Sequence, residues 1–415
     1  MPSAPVGPDP NNQYTNYSGP YGRLKIGASW LKIAGKYLRI GPPPVGSNLL
    51  FLFAERNTPA TQYLVKWDGS TWSLVASGTD LFLGGDASLD YFPMSVPEAN
   101  YAVKLGANHY IAYDSALMRS TDGGLTWAKV LALTSTTTLE AITVCRTPDG
   151  TVYALMPFYT ASGNDISEVW RSLDEGATFA LLAAEDINVP LVDITASPGN
   201  DFAAVGMLNA IPVIDQLRVR MLAGSADTTA SHRISSFPDV PPGTMRALFS
   251  DTGRLVIVIE LFDPAPGSHS YLRVFYTDTP PTGFTEVALA DSATIGYLSG
   301  SLFGGLCGTS TAMFFSNKQT DEANNRVYMS NDNAVTWAQI ASPGMELSAL
   351  FYDSAGDILY CVEGGNTGTV GGNIVKRMTL ASTGAGAWED ISAGLLTAIG
   401  GTLPLTFLQQ AIMFE

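Results

Sequence analysis

The sequence is short of basic residues and of long apolar runs, and each shortage bears on function. Only 22 of the 415 residues are Lys or Arg against 38 Asp or Glu, which gives a net charge of −16. Nucleic-acid binding needs a basic surface, so no nucleic-acid partner is expected. The longest apolar runs, such as 49–54 and 255–259, are far shorter than the ~20 residues that span a bilayer, so no membrane insertion is expected.

Potential metal ligands are also scarce. The three cysteines, Cys145, Cys307 and Cys361, stand in separate apolar runs, which favours buried thiols over disulfides or metal ligands. The three histidines form no HxH or HxxxH pattern; they are His109, His232 and His269. No metal site and no cofactor are therefore predicted. The first 22 residues lack a basic start followed by an apolar core, so no secretory signal peptide is expected.

Glycine (41 residues) and proline (25 residues) are plentiful, and a glycine-containing turn recurs along the chain. "RSTDGGLTW" (119–127) is nearly repeated as "RSLDEGATF" (171–179) and "MSNDNAVTW" (329–337). Degenerate copies extend the series, and an aromatic residue closes each copy at intervals of about fifty residues, a period typical of propellers or solenoids. These aromatic residues are Trp72, Trp127, Phe179, Phe237, Phe284, Trp337 and Trp388.

Each fifty-residue unit also repeats internally. The third unit runs "LEAITVC", "TVYALMPF", "SEVWRS" and "FALLA", four short segments rich in β-branched and aromatic residues and separated by Gly, Asp and Pro turns. Four antiparallel strands repeated around an axis form the blade of a β-propeller. The sequence therefore predicts an all-β propeller of four-stranded antiparallel blades.

The recurrent turn resembles the Asp-box, or BNR, repeat of the sialidase-like propeller superfamily, which also includes phage virion proteins. The resemblance implies a structural turn on the outer part of the blade. An Asp in a tight turn can accept backbone N–H groups, glycine allows a positive φ, and the closing aromatic buries a large apolar area. The turn residues so assigned are Ser120, Asp122, Gly124, Thr126 and Trp127; Ser172, Asp174, Gly176, Thr178 and Phe179; and Ser330, Asp332, Thr336 and Trp337.

The ends of the chain are expected to close the ring. "GASWLKIAG" (27–35) resembles the end of a turn with its outer strand, whereas 395–415 resembles three strands without a fourth. Pairing the two would make a composite eighth blade, and closure would remove exposed strand edges. We therefore slightly favour eight blades over seven. Residues 1–22 are predicted to be an extended arm rich in Pro, Asn and Gly, and 23–415 a single propeller domain.

Catalytic chemistry was sought in the pattern that the sialidase resemblance implies. Sialidases grip a carboxylate with three arginines, whose planar forks can bond both oxygens. Arg39, in "YLRIG", is the candidate on the expected innermost strand of blade 1, and Arg146 and Arg246 are candidates in blades 3 and 5. Asp193 and Glu260 are acids inside apolar strands. No Tyr–Glu nucleophile pair accompanies these residues, so no catalytic residue is assigned.

The sequence favours a non-enzymatic binding or structural propeller, with a sialidase-like glycoside hydrolase, a cellular assembly factor or an adhesin as alternatives. By analogy with Asp-box propellers of phages, we expect a virion component associated with a tail or fibre; a cytoplasmic or surface-associated location is the alternative. Residues 1–22 would attach it to other proteins of the assembly. A receptor or cell-surface glycan would contact the polar loops, since loops on a rigid scaffold are where binding residues collect. These loops are 158–168, 262–271, 316–325 and 364–373.

Overall fold

The chain was analysed as a computed structural model. It describes residues 14–15, 24–25, 30–33, 36–39, 49–55, 62–78, 102–113, 116–132, 138–139, 142–159, 165–185, 191–210, 213–223, 226–233, 242–262, 270–287, 289, 303–317, 326–345, 347–363, 375–380, 386–400 and 408–414. Two short antiparallel pairs come first, β1 (Tyr14–Thr15) with β2 (Leu24–Lys25) and β3 (Trp30–Ile33) with β4 (Lys36–Arg39).

The remaining described strands form seven antiparallel sheets, numbered here as blades 1–7 along the chain. Blade 1 contains β5 (Leu49–Glu55), β6 (Gln62–Trp67) and β7 (Trp72–Gly78), and blade 2 contains β8 (Ala102–Leu105), β9 (Asn108–Tyr113), β10 (Ala116–Ser120) and β11 (Ala128–Ala132). Blade 3 contains β12 (Thr138–Leu139), β13 (Thr143–Arg146), β14 (Val152–Tyr159), β15 (Asp165–Ser172) and β16 (Ala180–Glu185). Blade 4 contains β17 (Leu191–Ala196), β18 (Phe202–Ala210), β19 (Val213–Ala223) and β20 (Ala226–Arg233).

The second half of the chain is built in the same way. Blade 5 contains β21 (Pro242–Phe249), β22 (Leu255–Phe262), β23 (Ser270–Thr277) and β24 (Thr285–Val287). Blade 6 contains β25 (Phe303–Thr309), β26 (Ala312–Asn317), β27 (Val327–Ser330) and β28 (Ala338–Ile340). Blade 7 contains β29 (Leu347–Asp353), β30 (Ile358–Glu363), β31 (Val375–Thr379) and β32 (Glu389–Asp390). A single helical turn, α1 (Leu395–Ala398), and a last strand, β33 (Leu408–Phe414), complete the described elements.

This arrangement confirms the all-β propeller of four-stranded antiparallel blades. The described strands give seven blades, one of the two counts that the sequence allowed. In blades 2 to 7 the first strand along the chain is the innermost, and in blade 1 this position is held by β33; these inner strands pack side by side around the axis. In blade 3 this innermost position is shared by β12 and β13, which both pair with β14.

The hydrophobic core lies between the blades, and this explains the continuous apolar runs of the second strands. In β22, Leu255, Ile257 and Ile259 pack against blade 4, whereas Val256 and Val258 pack against blade 6. Side chains alternate between the two faces of a strand, and both faces of a blade are covered. Each fully buried Val or Ile contributes about 1.5–3 kcal/mol relative to an exposed one.

The ring closes by pairing between the two ends of the chain, as predicted, but the strands that pair are not the ones that the sequence indicated. Strand β33 alone completes blade 1 by pairing with β5, from Leu408 opposite Glu55 to Phe414 opposite Leu50. The composite eighth blade was therefore wrong: β3, inside the segment 27–35, pairs with β4, which follows it, and blade 1 already has three strands of its own in β5–β7.

Two local errors explain the extra blade in the prediction. Residues 395–398, expected to be a strand, form α1, and Leu395 and Ile399 are buried in the core between blades 7 and 1 rather than paired in a sheet. Blade 4 lacks the nine-residue turn, because β19 ends at Ala223 and β20 begins at Ala226, and Phe237, the aromatic residue expected to close that turn, lies outside the described residues. None of the described helical residues forms a helix long and apolar enough to cross a membrane.

Candidate functional site

Three turns between third and fourth strands share one hydrogen-bond pattern. The Ser120 hydroxyl donates to Asp122 Oδ1 at 2.8 Å and accepts the N–H of Gly124 at 2.8 Å. Asp122 accepts the N–H and the hydroxyl of Thr126 at 2.9 and 2.6 Å, and these bonds lower its pKa to about 2. The turns at 172–179 and 330–337 repeat the same bonds. The polar side chains of the motif are thus engaged within the turn itself.

The aromatic residues that close these turns lie in the core. Trp127 and Trp337 are buried, and the Trp337 ring meets Phe315 edge-on at 4.8 Å between centroids. The Trp127 indole N–H also donates to the carbonyl of Gly124 at 2.9 Å. Ala334, where the other turns have glycine, keeps the same backbone shape at a φ of 67°. The polar residues of the turn are therefore hydrogen-bonded to one another, and the aromatic residues pack in the core.

The residue that follows the turn aspartate links neighbouring blades. Gly69, Glu175 and Asn333 occupy this position in three blades, and all have a positive φ of 94°, 57° and 59°. A side chain of the preceding blade donates to each of their carbonyl oxygens. The donors are Arg377 Nη1 to Gly69 at 2.9 Å, the Tyr110 hydroxyl to Glu175 at 2.7 Å and Arg254 Nη1 to Asn333 at 2.7 Å. We call these three contacts the carbonyl latches.

Arg146, a candidate ligand residue, lies at the turn end of β13. Its guanidinium donates two hydrogen bonds to the Glu175 carboxylate, from Nε to Oε2 at 3.0 Å and from Nη2 to Oε1 at 2.6 Å. These bonds lower the pKa of Glu175. The side chain also borders a cavity of about 360 Å³ among the inner turns of blades 3 to 6. Ser197 in blade 4 and Asp251 in blade 5 also line this cavity. Arg146 is therefore both a turn-holding residue and the cationic group of this cavity.

Arg246, the second candidate, is buried on β21 beside Asp193 of the neighbouring blade. Asp193 Oδ2 accepts the N–H of Ala247 at 2.8 Å, and Oδ1 accepts the N–H of Ile194 at 2.9 Å. Burial raises the pKa of Asp193, although the charge of Arg246 and the two N–H donors act in the opposite direction. Arg246 is itself only 7% exposed and donates to the carbonyl of Met245 at 2.8 Å. This acid therefore joins the inner strands of blades 4 and 5.

Arg39, the third candidate, is not on the innermost strand of blade 1, where the sequence-based analysis placed it. It ends β4, whose partner is β3, and β33 holds the innermost position of blade 1. Its side chain lies outside the described residues. Arg146 and Arg246 are on inner strands of blades 3 and 5 as expected, but the three arginines do not all lie on inner strands.

The other candidates are distributed rather than gathered. Glu260 and His109 are buried in the second strands β22 and β9, and Cys145 and Cys361 are buried in strands of blades 3 and 7. Burial raises the pKa of the Cys145 thiol well above its usual value, so this group stays protonated at neutral pH. Among the residues that the structure describes, no three His, Cys, Asp or Glu side chains are grouped as metal ligands.

The polar loops proposed to contact a ligand lie mostly outside the described residues. Their flanking strands are described: β14 and β15, β22 and β23, β26 and β27, and β30 and β31. In an antiparallel meander the connection between the second and third strands leaves the end opposite to the other two connections. The ends of the flanking strands from which these four loops depart therefore lie on one face of the ring, which we call the loop face, and the recurrent turns lie on the opposite face.

Sequence reasoning missed the donors of the carbonyl latches. Tyr110, Arg254 and Arg377 lie in blades other than the one whose turn they hold, so no local motif identifies them. Glu175 was overlooked because it fills a variable position of the turn. The one available signal was the residue after the turn aspartate, where glycine or asparagine indicates a left-handed backbone.

Comparisons with known proteins agree with this architecture. No protein-family model and no curated protein matches the chain. A Bacteroides uniformis protein provisionally assigned as a 6-phosphogluconolactonase matches at a TM-score of 0.53 with 13% identity, over 88% of this chain and 100% of its own. A puromycin-hydrolyzing peptidase of Mycobacterium tuberculosis matches at 0.50 with 13% identity, over 84% and 52% of the two chains.

A xyloglucanase of family GH74 from Xanthomonas campestris matches at a TM-score of 0.49 with 14% identity, over 81% of this chain. This chain spans 52% of the length of that xyloglucanase. The likenesses to the Bacteroides uniformis and Mycobacterium tuberculosis proteins show the fold alone. Propellers host many unrelated activities, so function has to be argued from the residues of this chain.

Proposed function

We propose that this protein is a non-enzymatic binding propeller, a rigid ring that presents the loop face to a receptor or glycan. The proposal is supported by one observation: charged side chains in the described inner strands and turns bond to other groups of the ring. Arg146 holds Glu175, and Asp193 holds the inner strand of the next blade. Because these charged side chains are already bonded within the ring, they stabilise it rather than bind a substrate.

We further propose that the ring belongs to a larger assembly, in the first instance a virion in which it is associated with a tail or fibre. Support comes from the sequence: residues 1–22 are rich in Pro, Asn and Gly, and five basic residues but no acidic residue lie between positions 10 and 54. These basic residues, Arg23, Lys25, Lys32, Lys36 and Arg39, directly follow residues 1–22, and a basic segment beside such an arm suits docking onto an acidic partner surface because opposite charges steer association.

The ligand part of the proposal is tested with a glycan array and a panel of fluorogenic glycosides, both applied to the full-length protein. We expect binding without turnover, and we expect replacement of 318–325 by a short Gly-Ser linker to weaken binding. A matched linker replacement of 264–268, in the equivalent loop of another blade, shows whether the effect is local. Glycoside turnover by the full-length protein, abolished in a folded Arg146→Gln variant, would instead support a glycoside hydrolase.

The assembly part is tested by comparing the full-length protein with a variant lacking residues 1–22, each mixed with virion or membrane fractions from its source. We expect both proteins to show the ring by electron microscopy and only the full-length protein to join larger particles. If neither protein joins any particle, or if both join equally, the attachment role of residues 1–22 is wrong.

A further inference from the structure

Strand β20 forms the outer edge of blade 4, and it is the longest outer strand that the structure describes. It runs over Ala226–Arg233 and pairs with β19 on one side. In the described part of the chain, no strand pairs with its other side. The N–H and C=O groups that alternate residues direct away from β19 therefore form a row with which another extended strand can pair.

The outer strands of the other six blades are protected against such pairing in one of two ways. Those of blades 5, 6 and 7 are only two or three residues long. Those of blades 1, 2 and 3 each contain one residue that the pairing with the third strand skips, as in a β-bulge; these residues are Val75, Val130 and Leu182. Short strands and bulges both prevent association between sheet edges.

Strand β20 has neither protection. Its pairing with β19 continues without a shift from Ala226 opposite Ala223 to Arg233 opposite Gln216. Its sequence, "ADTTASHR", contains no proline or lysine, which also guard sheet edges. Because blade 4 lacks the recurrent turn, the short connection between β19 and β20 lets the two strands pair along the whole length of β20. Among the described outer strands, this one is therefore best suited to pairing with another chain.

We propose that β20 is a dimer interface, at which it pairs antiparallel with β20 of a second copy of this chain about a two-fold axis. The strand is self-complementary in charge. When Ala230 lies opposite Ala230 of the second copy, Asp227 lies opposite Arg233 of that copy, and the same pair recurs on the other side of the axis. A two-fold interface repeats every contact in this way, and opposite charges at facing positions of neighbouring strands stabilise their pairing.

A second copy suits this edge better than residues 1–22 of a neighbouring chain do. That segment contains five prolines, and each lacks the N–H group that a paired strand donates. Within blade 4 the residues directly opposite Asp227 and Arg233 are the uncharged Leu222 and Gln216, so neither charge faces another across the hairpin. The inference depends neither on a ligand at the loop face nor on attachment through residues 1–22.

The first test is disulfide trapping in the full-length protein. Residues directly opposite each other in an antiparallel pair have Cα atoms about 4.5–5.5 Å apart, within reach of a disulfide, so we expect Ala230→Cys to give a covalent dimer under mild oxidation. Thr228→Cys is the matched control: its two copies would be four residues out of step, about 13 Å apart, and should not cross-link. The unmodified chain, with Cys145, Cys307 and Cys361, gives the background.

The second test is sedimentation at micromolar concentration, where the unmodified protein should have twice the mass of the chain. Asp227→Arg should raise the dissociation constant by about tenfold, since two arginines would then face each other. Combining Asp227→Arg with Arg233→Asp should restore the dimer. Glu185→Arg makes the same change of charge on the outer strand β16 and should leave the dimer intact.

A monomer at these concentrations would overturn the proposal, and so would equal cross-linking of Ala230→Cys and Thr228→Cys. A dimer that forms equally well in Asp227→Arg uses another surface. A dimer that is lost on removal of residues 1–22 uses that segment as the pairing strand. In either of these cases the proposal fails.

Discussion

At the scale of single residues, the recurrent turn depends on two successive positions with left-handed backbone. The pairs are Gly123–Gly124, Glu175–Gly176 and Asn333–Ala334. A residue other than glycine in this region costs roughly 1–2 kcal/mol. The second position is also crowded, because a Cβ added to Gly176 would lie 2.2 Å from the Tyr110 hydroxyl of the preceding blade.

We therefore expect Gly176→Ala to lower the free energy of unfolding by about 2–4 kcal/mol, from overpacking and from loss of the Tyr110 latch. Gly123→Ala is the matched control, since its φ is also positive but no atom lies within 4 Å of the added Cβ. It should cost only about 1–2 kcal/mol, the backbone strain alone. Urea unfolding of both variants checks this, and equal losses would contradict the steric argument.

Asp122 gives a prediction about pH. Its pKa falls from 3.8 to about 2 on folding, because the folded turn donates the hydroxyl and N–H of Thr126 to the charged form. The stability it contributes is present above the unfolded pKa and is lost as the pH falls through about 2. In Asp122→Asn, thermal unfolding midpoints should fall less steeply between pH 4 and pH 2 than in the unmodified protein. Parallel curves would show that this carboxylate does not stabilise the fold.

At the scale of elements, the turns act as links between blades through the carbonyl latches. Arg254 makes the most contacts of this kind. Its Nε and Nη2 donate to the Asp278 carboxylate in its own blade at 2.6 and 2.7 Å, and its Nη1 donates to the Asn333 carbonyl of blade 6 at 2.7 Å. Its guanidinium also lies 4.3 Å from the centre of the Tyr276 ring. One side chain thus orders a turn in each of two blades.

Arg254→Gln is expected to lower the free energy of unfolding by about 1–3 kcal/mol, because the Asn333 carbonyl loses a charged donor. Arg273→Gln is the control, since Arg273 pairs with Glu286 on the adjacent strand of the same blade. A partly exposed ion pair within one blade contributes about 0–1 kcal/mol. Chemical denaturation compares them, and a larger loss in Arg273→Gln would contradict the importance of the latch.

The strands and turns also show which parts of the fold could be predicted from the sequence. The four strands of a blade and the turn between the last two are local patterns, so they could be read along the chain. Blade 4 could not be marked correctly, because a short connection from Ala223 to Ala226 replaces its turn. The pairing of β33 with β5 joins positions at opposite ends of the chain, and the apolar run around Leu395 is equally compatible with strand or helix until its partner is known.

The candidate site was less accessible to sequence reasoning than the fold. Arg146 and Arg246 could be placed on inner strands, but Glu175, the partner of Arg146, comes from a turn, and Asp193, the neighbour of Arg246, comes from the preceding blade. Whether an arginine is free for a ligand or already paired depends on such contacts, which arise only when the blades pack together.

At the scale of the whole molecule, the ring is held closed by β33 and by contacts between blades 7 and 1. The Trp72 indole N–H donates to the carbonyl of Ile391 at 2.6 Å, and Arg377 donates to Gly69 at 2.9 Å. Without β33, blade 1 would lose its innermost strand and present the edge of β5, and an exposed edge invites association with other chains.

Removal of residues 408–415 should therefore give a protein that unfolds at lower urea concentration and self-associates more than the full chain does. Size-exclusion chromatography with light scattering measures this directly. Removal of residues 1–13, ahead of all described strands, is the control and should leave stability unchanged. A truncated protein as stable and monodisperse as the full chain would show that β33 is dispensable for closure.

The most direct test of the account is Arg146→Gln, since its central claim is that charged groups of the inner strands hold the ring together. We predict a loss of about 1 kcal/mol in the free energy of unfolding, because a two-point ion pair with the partly exposed Glu175 is lost, with glycan or receptor binding unchanged. Unchanged stability together with lost binding or lost turnover would contradict the account and make Arg146 a ligand residue of the adjoining cavity.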